Sequence, residues 1–524
     1  MTRFLLPLVA SALLISFFGL GSFTVFDVDE AVFSQASKEM LKSGNWITPT
    51  YNGENRYDKP ILFYWLMGAS YWIFGMNEFA ARFPSAVSGC LLCLAIFFFV
   101  KHFKDERRAL CVAFTVAISP YYLVYTHAAV TDMALTLFIT LALLSFYLSL
   151  EHGAVSRKYL LGLYIFSALA FLTKGLIGIL FPFGVACIYL LATEGIGGMK
   201  RLSSTVGVIL FVIISAPWYS AQFFINGQEF VQQFFIKHHF KRYTEVISGH
   251  KGPLYYYVPA LLIGLMPWVA FLPSGIRHAF RNMRLSRKGQ VRSAGSDTLG
   301  LFALVWFAFI VLFFSLSITK LPNYILPSVP AAALLIVSGM MEETRWTKYA
   351  HAGIIAMTLT AGFIFLMSGR HLTRFGISET GWTLWAALTL FALAVASVIA
   401  ILIKRSLYIS LYILTGLFLV LLAATALPLA NHALQGTLHR YSLYAKNNLR
   451  EDDKIITYGI NNPSIVFYSD RRVVKVGSPE ELATLLSQGR RLLLISKSAD
   501  IEGLSKVGFH VLEDDGKYAM LEKK

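Results

Sequence analysis

Acidic and basic side chains occur in short clusters along a chain that is otherwise strongly apolar. The first cluster, FDVDEAVF, contains Asp27, Asp29 and Glu30, and the second, YDKP, places Asp58 next to Lys59. A carboxylate in such a position removes a proton from a hydroxyl acceptor. An amine of this kind holds a phosphate group by a charge-assisted hydrogen bond. These two clusters therefore indicate acid–base and anion-binding chemistry.

Further polar groups follow along the chain. Asp132 stands in AVTDM, Lys174 in LTKG, the sequence KHHFKRY covers 237–243 and TKLPNYILP covers 319–327. Each has an ordinary explanation when it is taken alone: loop acids are solvated, lysines near a membrane snorkel and basic stretches contact lipid phosphates. Taken together, they supply cations for a phosphate-linked donor, carboxylates for an acceptor and an acid–histidine pair for a divalent metal.

The composition identifies the class of protein that must position these groups. The chain has 524 residues, of which 56% are hydrophobic and 15% charged, and its mean hydropathy is +0.59. Soluble domains average about 25% charged residues. Apolar runs of roughly 20 residues, which is the length that crosses a bilayer, recur along most of the chain. We therefore expect an all-α polytopic membrane protein.

The net charge of +16 has a topological explanation, because basic residues collect in the cytoplasmic loops of membrane proteins. A nucleic-acid partner is disfavoured, since the chain contains no basic soluble domain to bind one. Hydropathy predicts about thirteen transmembrane helices. They lie near 4–25, 85–100, 109–126, 133–150, 159–173, 175–193, 205–220, 254–276, 299–318, 323–341, 349–368, 382–403 and 407–427.

The distribution of lysine and arginine predicts the orientation of these helices. With the N-terminus inside, every alternate loop carries at least two basic residues, as at 101–108, 157–158 and 277–292. This arrangement satisfies the positive-inside rule. It predicts a multi-pass membrane protein whose polar clusters all face outward, away from the cytoplasm.

Two domains follow from the same pattern. A transmembrane domain covers 1–427 and includes 26–84, an outer-face loop in which we expect interfacial helices. A soluble extracytoplasmic domain covers 428–524, where short β-type runs alternate with a helical stretch and predict a small α/β fold. The runs are 455–458, 465–468, 472–476 and 492–496, and the helical stretch is 479–488.

The stretch FDVDEAVFSQASKEMLKSGNWITPTYNGENRYDKPILFYW resembles the bacterial aminoarabinose (4-amino-4-deoxy-L-arabinose) lipid A transferases, a group within the protein-mannosyltransferase-like family. Shorter resemblances follow in the expected order: ARFPSAV, AVTDM, LTKG, HFKRY, GPLYYYVPAL and KLPNYILP. The resemblance implies a GT-C glycosyltransferase fold with thirteen spans and an outer C-terminal domain. It also implies a polyprenyl-phosphate-linked sugar donor, and a location in the bacterial inner membrane with the active site on the periplasmic face.

The resemblance also implies roles for the matching positions. Asp29 resembles the catalytic acid of the family, and Asp132 resembles a second acid of the same cavity. Asp58 and His239 resemble a pair of ligands for one divalent metal ion, with Zn, Mg and Mn not distinguished. The sequence departs from the family where Asp58 replaces a usual Glu and where His238 replaces an acid. The positions that resemble contacts to the donor phosphate are Lys59, Lys174, Arg242 and Tyr324.

These features predict a glycosyltransferase that moves a sugar from an undecaprenyl phosphate donor to lipid A or another envelope glycolipid, with membrane lipids as its surroundings. A protein O-mannosyltransferase remains an alternative, because it performs the same chemistry on a serine or threonine. A lipid or sugar transporter is a more distant alternative. Transporters show internal repeats and polar groups near the midplane of the membrane, whereas this chain shows no repeat.

Overall fold

The computed structural model describes residues 5–151, 155–234, 251–287, 298–342, 345–372, 381–403, 408–486 and 491–523 of the chain. Within these ranges the protein is mostly helical. The helices are α1 (Leu5–Phe17), α2 (Asp29–Ser43), α3 (Leu62–Phe74), α4 (Glu78–Phe103), α5 (Glu106–Ala117), α6 (Pro120–Thr126), α7 (Asp132–Ser149), α8 (Arg157–Lys174), α9 (Ile177–Glu194), α10 (Thr205–Phe230), α11 (Tyr257–Gly264), α12 (Leu272–Arg287), α13 (Thr298–Leu316), α14 (Val329–Met341), α15 (Arg345–Leu372), α16 (Gly381–Ile403), α17 (Tyr408–Leu421), α18 (Leu427–Asn448), α19 (Ser464–Ser469), α20 (Pro479–Leu486) and α21 (Ile501–Lys506).

The protein is a multi-pass membrane protein. In the described ranges, nine helices are long and apolar enough to cross a membrane, and the number rises to eleven when each of two bent helix pairs counts as one span. Each of the thirteen predicted windows overlaps a described helix, although α1 ends at Phe17, eight residues before the end of the first window. Two of the predicted windows match helices that are not among these eleven spans. They are α1, which has only 13 residues, and α8, which carries basic residues at both ends.

Proline residues explain the two bends. α5 and α6 meet at 60°, where Pro120 begins α6 and Ser119 caps it by accepting a hydrogen bond from the Tyr122 backbone N–H. α11 is bent by 115° from the helical segment that follows it, and Pro267 lies at this break. Proline lacks a backbone N–H and clashes with the preceding turn, so it ends or kinks a helix.

The chain divides into two compact units. The first contains Met1–Phe18, Tyr57–Phe63 and Pro84–Ala426, and the second contains Gly19–Arg56, Tyr64–Phe83 and Leu427–Lys524. The first unit thus ends at Ala426, and most of the 26–84 segment belongs to the second unit. The reason is that α2 packs on α19, a helix of the C-terminal region.

The C-terminal region forms an α/β fold around a five-stranded sheet. β3 (Lys454–Tyr458) pairs in parallel with β4 (Val473–Val476) and with β5 (Leu492–Lys497). β7 (Tyr518–Lys523) is antiparallel to both β5 and β6 (His510–Asp514), which gives the strand order β4-β3-β5-β7-β6. A short hairpin of β1 (Thr50–Tyr51) and β2 (Glu54–Asn55) belongs to the same unit.

The prediction of a strand at 465–468 was wrong, because α19 occupies these residues. A short apolar run does not distinguish a buried strand from a buried helix. Pro463 stands at the helix start, where its fixed φ angle and missing N–H favour a first helical turn. The strands β6 and β7 were not predicted.

Candidate functional site

Two neighbouring helices of the first unit bring Asp132 and Lys174 together. α7 begins at Asp132 and α8 ends at Lys174. The two helices pack against each other, so the start of one lies beside the end of the other. An acid at a helix N-terminus and a cation at a C-terminus both interact favourably with the helix dipole. Lys174 Nζ lies 2.6 Å from Asp132 Oδ1, and the two side chains are only 10% and 5% exposed.

The segment that precedes α14 completes this group. Asn323 Nδ2 donates a hydrogen bond to Asp132 Oδ1 at 3.0 Å, and Lys174 Nζ lies 5.7 Å from the centroid of the Tyr324 ring. The structure therefore brings three predicted site residues together and adds Asn323, which was not predicted. We refer to Asp132, Lys174, Asn323 and Tyr324 as the Asp132 cluster.

Lys174 in the Asp132 cluster has N–H donors beyond the one that bonds to Asp132. A lysine ammonium has three N–H donors, and among the described residues Lys174 bonds to Asp132. Two donors of Lys174 thus remain for a ligand. Because both side chains are nearly buried, water screens neither charge strongly: Lys174 attracts a phosphate oxygen, and Asp132 competes with that oxygen for the amine. Asp132 and Asn323 hold the amine in place.

The three acids of FDVDEAVF, which all lie in the second unit, differ in their hydrogen-bond partners and in their exposure. The Asp27 carboxylate accepts hydrogen bonds from the Ser464 backbone N–H at 2.8 Å, the Ser464 hydroxyl at 2.7 Å and Asn462 Nδ2 at 2.9 Å. Glu30 is buried and binds Arg82. Asp29, at the first position of α2, is exposed, and no described residue bonds to its carboxylate. Asp29 is therefore the acid of this motif that is available to a substrate.

The far end of α2 is also anchored within the second unit. Lys38 Nζ lies 3.0 Å from Asp470 Oδ1 and donates to the Phe467 carbonyl at 3.0 Å. Lys42 Nζ lies 2.6 Å from the same Asp470 oxygen. Burial lowers the pKa of the Lys38 amine below its usual range, although Asp470 opposes this change. These contacts fix the helix that presents Asp29.

Arg82 fixes the near end of α2 and is fully buried. Its Nε lies 2.7 Å from Glu30 Oε1, and its terminal nitrogens donate to the backbone carbonyls of Leu20, Phe23 and Thr24 at 3.0, 2.8 and 2.9 Å. The guanidinium also lies 3.9 Å from the centroid of the Phe23 ring. The planar fork of an arginine suits several acceptors at once. Arg82 therefore ties the turn before α2 to Glu30, the neighbour of Asp29.

We expect Arg82→Lys to destabilise the protein by about 1.5–3 kcal/mol, because lysine keeps the charge but loses several charge-assisted hydrogen bonds. The measurement is the thermal unfolding of the purified protein in detergent. Arg107→Lys is the matched control, since Arg107 is exposed and surface substitutions usually change stability by less than about 0.5 kcal/mol. Equal unfolding temperatures for the two variants would contradict the anchoring role.

Asp58 and Lys59 lie in the first unit, before α3. Both are partly buried, and Lys59 Nζ donates to the Asp58 backbone carbonyl at 3.1 Å. The preceding residue, Tyr57, is buried, and its hydroxyl donates to Glu229 Oε2 at 3.3 Å. Glu229 is a second acid near this motif that was not predicted from the sequence.

His239 and Arg242 lie outside the described residues. The metal pair of Asp58 and His239 and the phosphate contact of Arg242 therefore stay predictions. Within the described ranges, no group of three or more His, Cys, Asp or Glu side chains is arranged to hold a metal ion.

Lys320 is a structural residue in TKLPNYILP. Its side chain is buried, and its Nζ donates to the Ser315 carbonyl at 2.8 Å and also bonds to the Ser317 carbonyl. These carbonyls lie at the end of α13, where the last turn of a helix leaves backbone acceptors without partners. Lys320 therefore caps this helix instead of extending to the membrane surface, as the snorkelling explanation would require.

Comparisons with known proteins agree with this fold. Residues 58–220 match the family described as dolichyl-phosphate-mannose-protein mannosyltransferase, a range that contains Asp58, Lys59, Asp132 and Lys174. The crystal structure of ArnT from Cupriavidus metallidurans bound to undecaprenyl phosphate matches with a TM-score of 0.80, covering 99% of this chain and 98% of that chain at 23% identity. This likeness establishes the fold, which is that of the GT-C membrane glycosyltransferases.

Two proteins are similar to this chain in sequence. An uncharacterized protein of Aquifex aeolicus is 31% identical over 66% of this chain and 75% of its own length. The undecaprenyl phosphate-alpha-4-amino-4-deoxy-L-arabinose arabinosyl transferase of Edwardsiella ictaluri is 32% identical over 60% of this chain, but only 55% of that protein is covered. With the family match of residues 58–220, these relatives show that the chain is similar in sequence to the aminoarabinose transferases. This confirms the resemblance drawn from its motifs.

Proposed function

We propose that this protein transfers a sugar, in the first instance 4-amino-4-deoxy-L-arabinose, from an undecaprenyl phosphate donor to lipid A or another envelope glycolipid. The observation that carries the proposal is the Asp132 cluster, in which a nearly buried lysine keeps two N–H donors for a phosphate. The names of the Edwardsiella relative and of the Cupriavidus structure support the donor. The acceptor follows from the resemblance to the lipid A transferases.

In the proposed reaction, an acceptor oxygen attacks the anomeric carbon of the sugar and the bond to the donor phosphate oxygen breaks. Negative charge then builds up on the leaving phosphate. A cation held in advance at that position stabilises the transition state. Lys174 is the described cation best placed for this role, and Lys59 and Arg242 are proposed as further phosphate contacts. Tyr324, whose ring lies beside Lys174, is also proposed to contact the donor phosphate.

Asp29 is proposed to act at the acceptor. If the acceptor is a hydroxyl group, an exposed carboxylate serves as the general base that removes its proton. If the acceptor is a lipid A phosphate, the attacking oxygen is already anionic, and Asp29 instead orients the acceptor or the amino group of the sugar. A divalent metal at Asp58 and His239 remains part of the proposal, and no step is assigned to it.

We place the protein in the bacterial inner membrane with its active site on the periplasmic face. The support for this orientation is the distribution of basic residues in alternate loops. Undecaprenyl phosphate carriers present their sugar at the membrane surface, so an enzyme that uses them needs its polar site at the ends of its spans. Asp132 at the first residue of α7 and Lys174 at the last residue of α8 satisfy this requirement.

The proposed function predicts a specific change in envelope glycolipids. Cells that express the gene should carry lipid A, or another glycolipid, whose mass is increased by one sugar residue, and cells without the gene should lack this species. Mass spectrometry of extracted glycolipids measures it. The purified protein should form the same product from synthetic undecaprenyl phosphate-linked aminoarabinose and release undecaprenyl phosphate.

The same experiment tests the alternative of a protein O-mannosyltransferase, which the description of the matching family favours. In that case the sugar would appear on serine or threonine residues of periplasmic proteins, and the glycolipid masses would be the same in both strains. If the sugar is found on peptides and not on glycolipids, the acceptor is a protein instead of lipid A. The proposed donor would be unaffected by that result.

A further inference from the structure

A cavity of about 420 Å³ in the first unit lies far from the Asp132 cluster. Its lining includes Met341 and Glu342 at the end of α14, whereas Asn323 precedes the same helix. The 3-10 segment Pro322–Ser328 and α14 have 7 and 13 residues, which correspond to about 30 Å, the thickness of a bilayer core. The predicted orientation places the cavity on the inner face.

A hydrogen-bonded network forms one side of this cavity. His278 Nδ1 lies 2.5 Å from Glu342 Oε2, and the Arg281 guanidinium bonds to the same carboxylate. Asn282 Nδ2 donates to His278 Nε2 at 2.9 Å. Because Nε2 accepts this hydrogen bond, the imidazole hydrogen is assigned to Nδ1 and is directed at Glu342. The negative charge of Glu342 is thus balanced by Arg281 and does not repel an anion from the cavity.

Lys104 and Arg108 give the lining its net positive charge. Both residues lie where α4 passes into α5, and both contribute to the cavity wall. Arg108 also lies 3.3 Å from Asp105, but these two side chains are 46% and 56% exposed. Such a surface pair contributes little energy, so Arg108 can exchange Asp105 for a ligand at small cost.

Much of the remaining lining of the cavity is aliphatic. It includes Val100 from α4, Leu299 from α13, and Leu334 and Val337 from α14. A small inorganic anion gains nothing from these side chains, whereas a lipid brings a charged headgroup and an apolar body together. Basic pockets between transmembrane helices on the cytoplasmic side are typical sites for anionic lipid headgroups.

We propose that this cavity binds the phosphodiester headgroup of an anionic phospholipid. Lys104 and Arg108 contact the phosphate, and the glycerol and the first acyl carbons lie along the aliphatic lining. The network of Glu342 holds α12 and α14 on either side of the headgroup. A ligand that binds the folded state stabilises it by mass action. The site is separate from the donor site and does not depend on the proposed reaction.

The test is native mass spectrometry of the full chain in a neutral detergent, titrated with phosphatidylglycerol or with zwitterionic phosphatidylcholine. The wild type should retain one phosphatidylglycerol at concentrations where phosphatidylcholine does not bind, and its melting temperature should rise with phosphatidylglycerol. Lys104→Ala/Arg108→Ala should weaken phosphatidylglycerol binding about ten- to thirtyfold, since each basic residue near a membrane surface contributes about 1 kcal/mol.

Two further variants test whether the lipid binds in the cavity or only responds to the charge of the protein surface. Arg157→Ala/Lys158→Ala removes an equal charge from exposed residues on the same predicted face, and it should bind phosphatidylglycerol like the wild type. Ser338→Phe fills part of the cavity without changing any charge, and it should lose the retained lipid. Equal losses in both double-alanine variants would overturn the proposal. Displacement of the lipid by millimolar inorganic phosphate would show a simple anion site and would overturn it too.

Discussion

Asp29→Asn should lower the rate of sugar transfer to a hydroxyl acceptor by about two to four orders of magnitude, which is the usual contribution of a general acid–base group. The substitution keeps the shape of the side chain and removes its charge. Asp29 is exposed at the start of α2, and no described residue bonds to its carboxylate, so the change breaks no described contact. The measurement is single-turnover transfer by purified protein in lipid nanodiscs, together with its melting temperature.

Controls come from the same unit. Glu54→Gln neutralises another exposed acid and should transfer at the wild-type rate. Asp27→Ala should behave differently from both, since it removes the acceptor for Ser464 and Asn462 and should lower the melting temperature. Wild-type turnover by Asp29→Asn would remove this residue from the mechanism and would leave the proposed acceptor chemistry without a base.

Steady-state kinetics separate the two proposed roles of Asp29. If Asp29 is a general base, Asp29→Asn should mainly lower kcat. If the acceptor is a lipid A phosphate, the carboxylate only orients the substrate, and Asp29→Asn should mainly raise KM instead of lowering kcat. Parallel measurements with a hydroxyl acceptor and with a phosphate acceptor therefore identify the attacking atom.

Hydropathy predicted the transmembrane helices well, because the cost of burying polar groups in lipid dominates every other preference there. The C-terminal fold was harder to predict, since its elements are short and depend on packing. The residues at 465–468 illustrate the difficulty. Their apolar character fits a strand and a helix equally, and the bonds of Ser464 to Asp27 connect positions more than four hundred residues apart.

The same limit applies to the site. The motif FDVDEAVF marks a functional segment, but nothing in its spacing separates the exposed Asp29 from the tied Asp27 and the paired Glu30. The partners that separate them come from distant positions, as Arg82 does for Glu30. Asn323 was missed for a related reason: an amide beside Tyr324 is unremarkable until the fold places it 3.0 Å from Asp132.

Lys174 and Asp132 illustrate the opposite case. Each was predicted as a site residue, but from separate motifs, and their ion pair was not foreseen. Antiparallel packing of two helices joined by a short connection places the first residue of one beside the last residue of the other. The ion pair gives the predicted phosphate-binding lysine two alternative roles. Lys174 either binds the donor phosphate or only neutralises the charge of Asp132.

Lys174→Met should weaken the binding of free undecaprenyl phosphate about ten- to a hundredfold, since a charge-assisted hydrogen bond contributes about 1.5–3 kcal/mol. Asp132→Asn should bind undecaprenyl phosphate at least as tightly as the wild type, because it removes a negative charge that competes for Lys174. The same variant should unfold more easily, since it leaves a nearly buried ammonium without its counter-charge. Binding is measured by titration of the labelled lipid, and stability by thermal unfolding.

Lys320→Met is the matched control, because it removes another buried lysine whose amine bonds to backbone carbonyls. It should lower the melting temperature and leave lipid binding unchanged. The double variant Lys174→Met/Asp132→Asn decides between the two roles of Lys174. If the lysine only neutralises Asp132, the double variant binds undecaprenyl phosphate like the wild type. If it holds the donor phosphate, the double variant stays as weak as Lys174→Met, although its stability recovers because no buried charge is left unpaired.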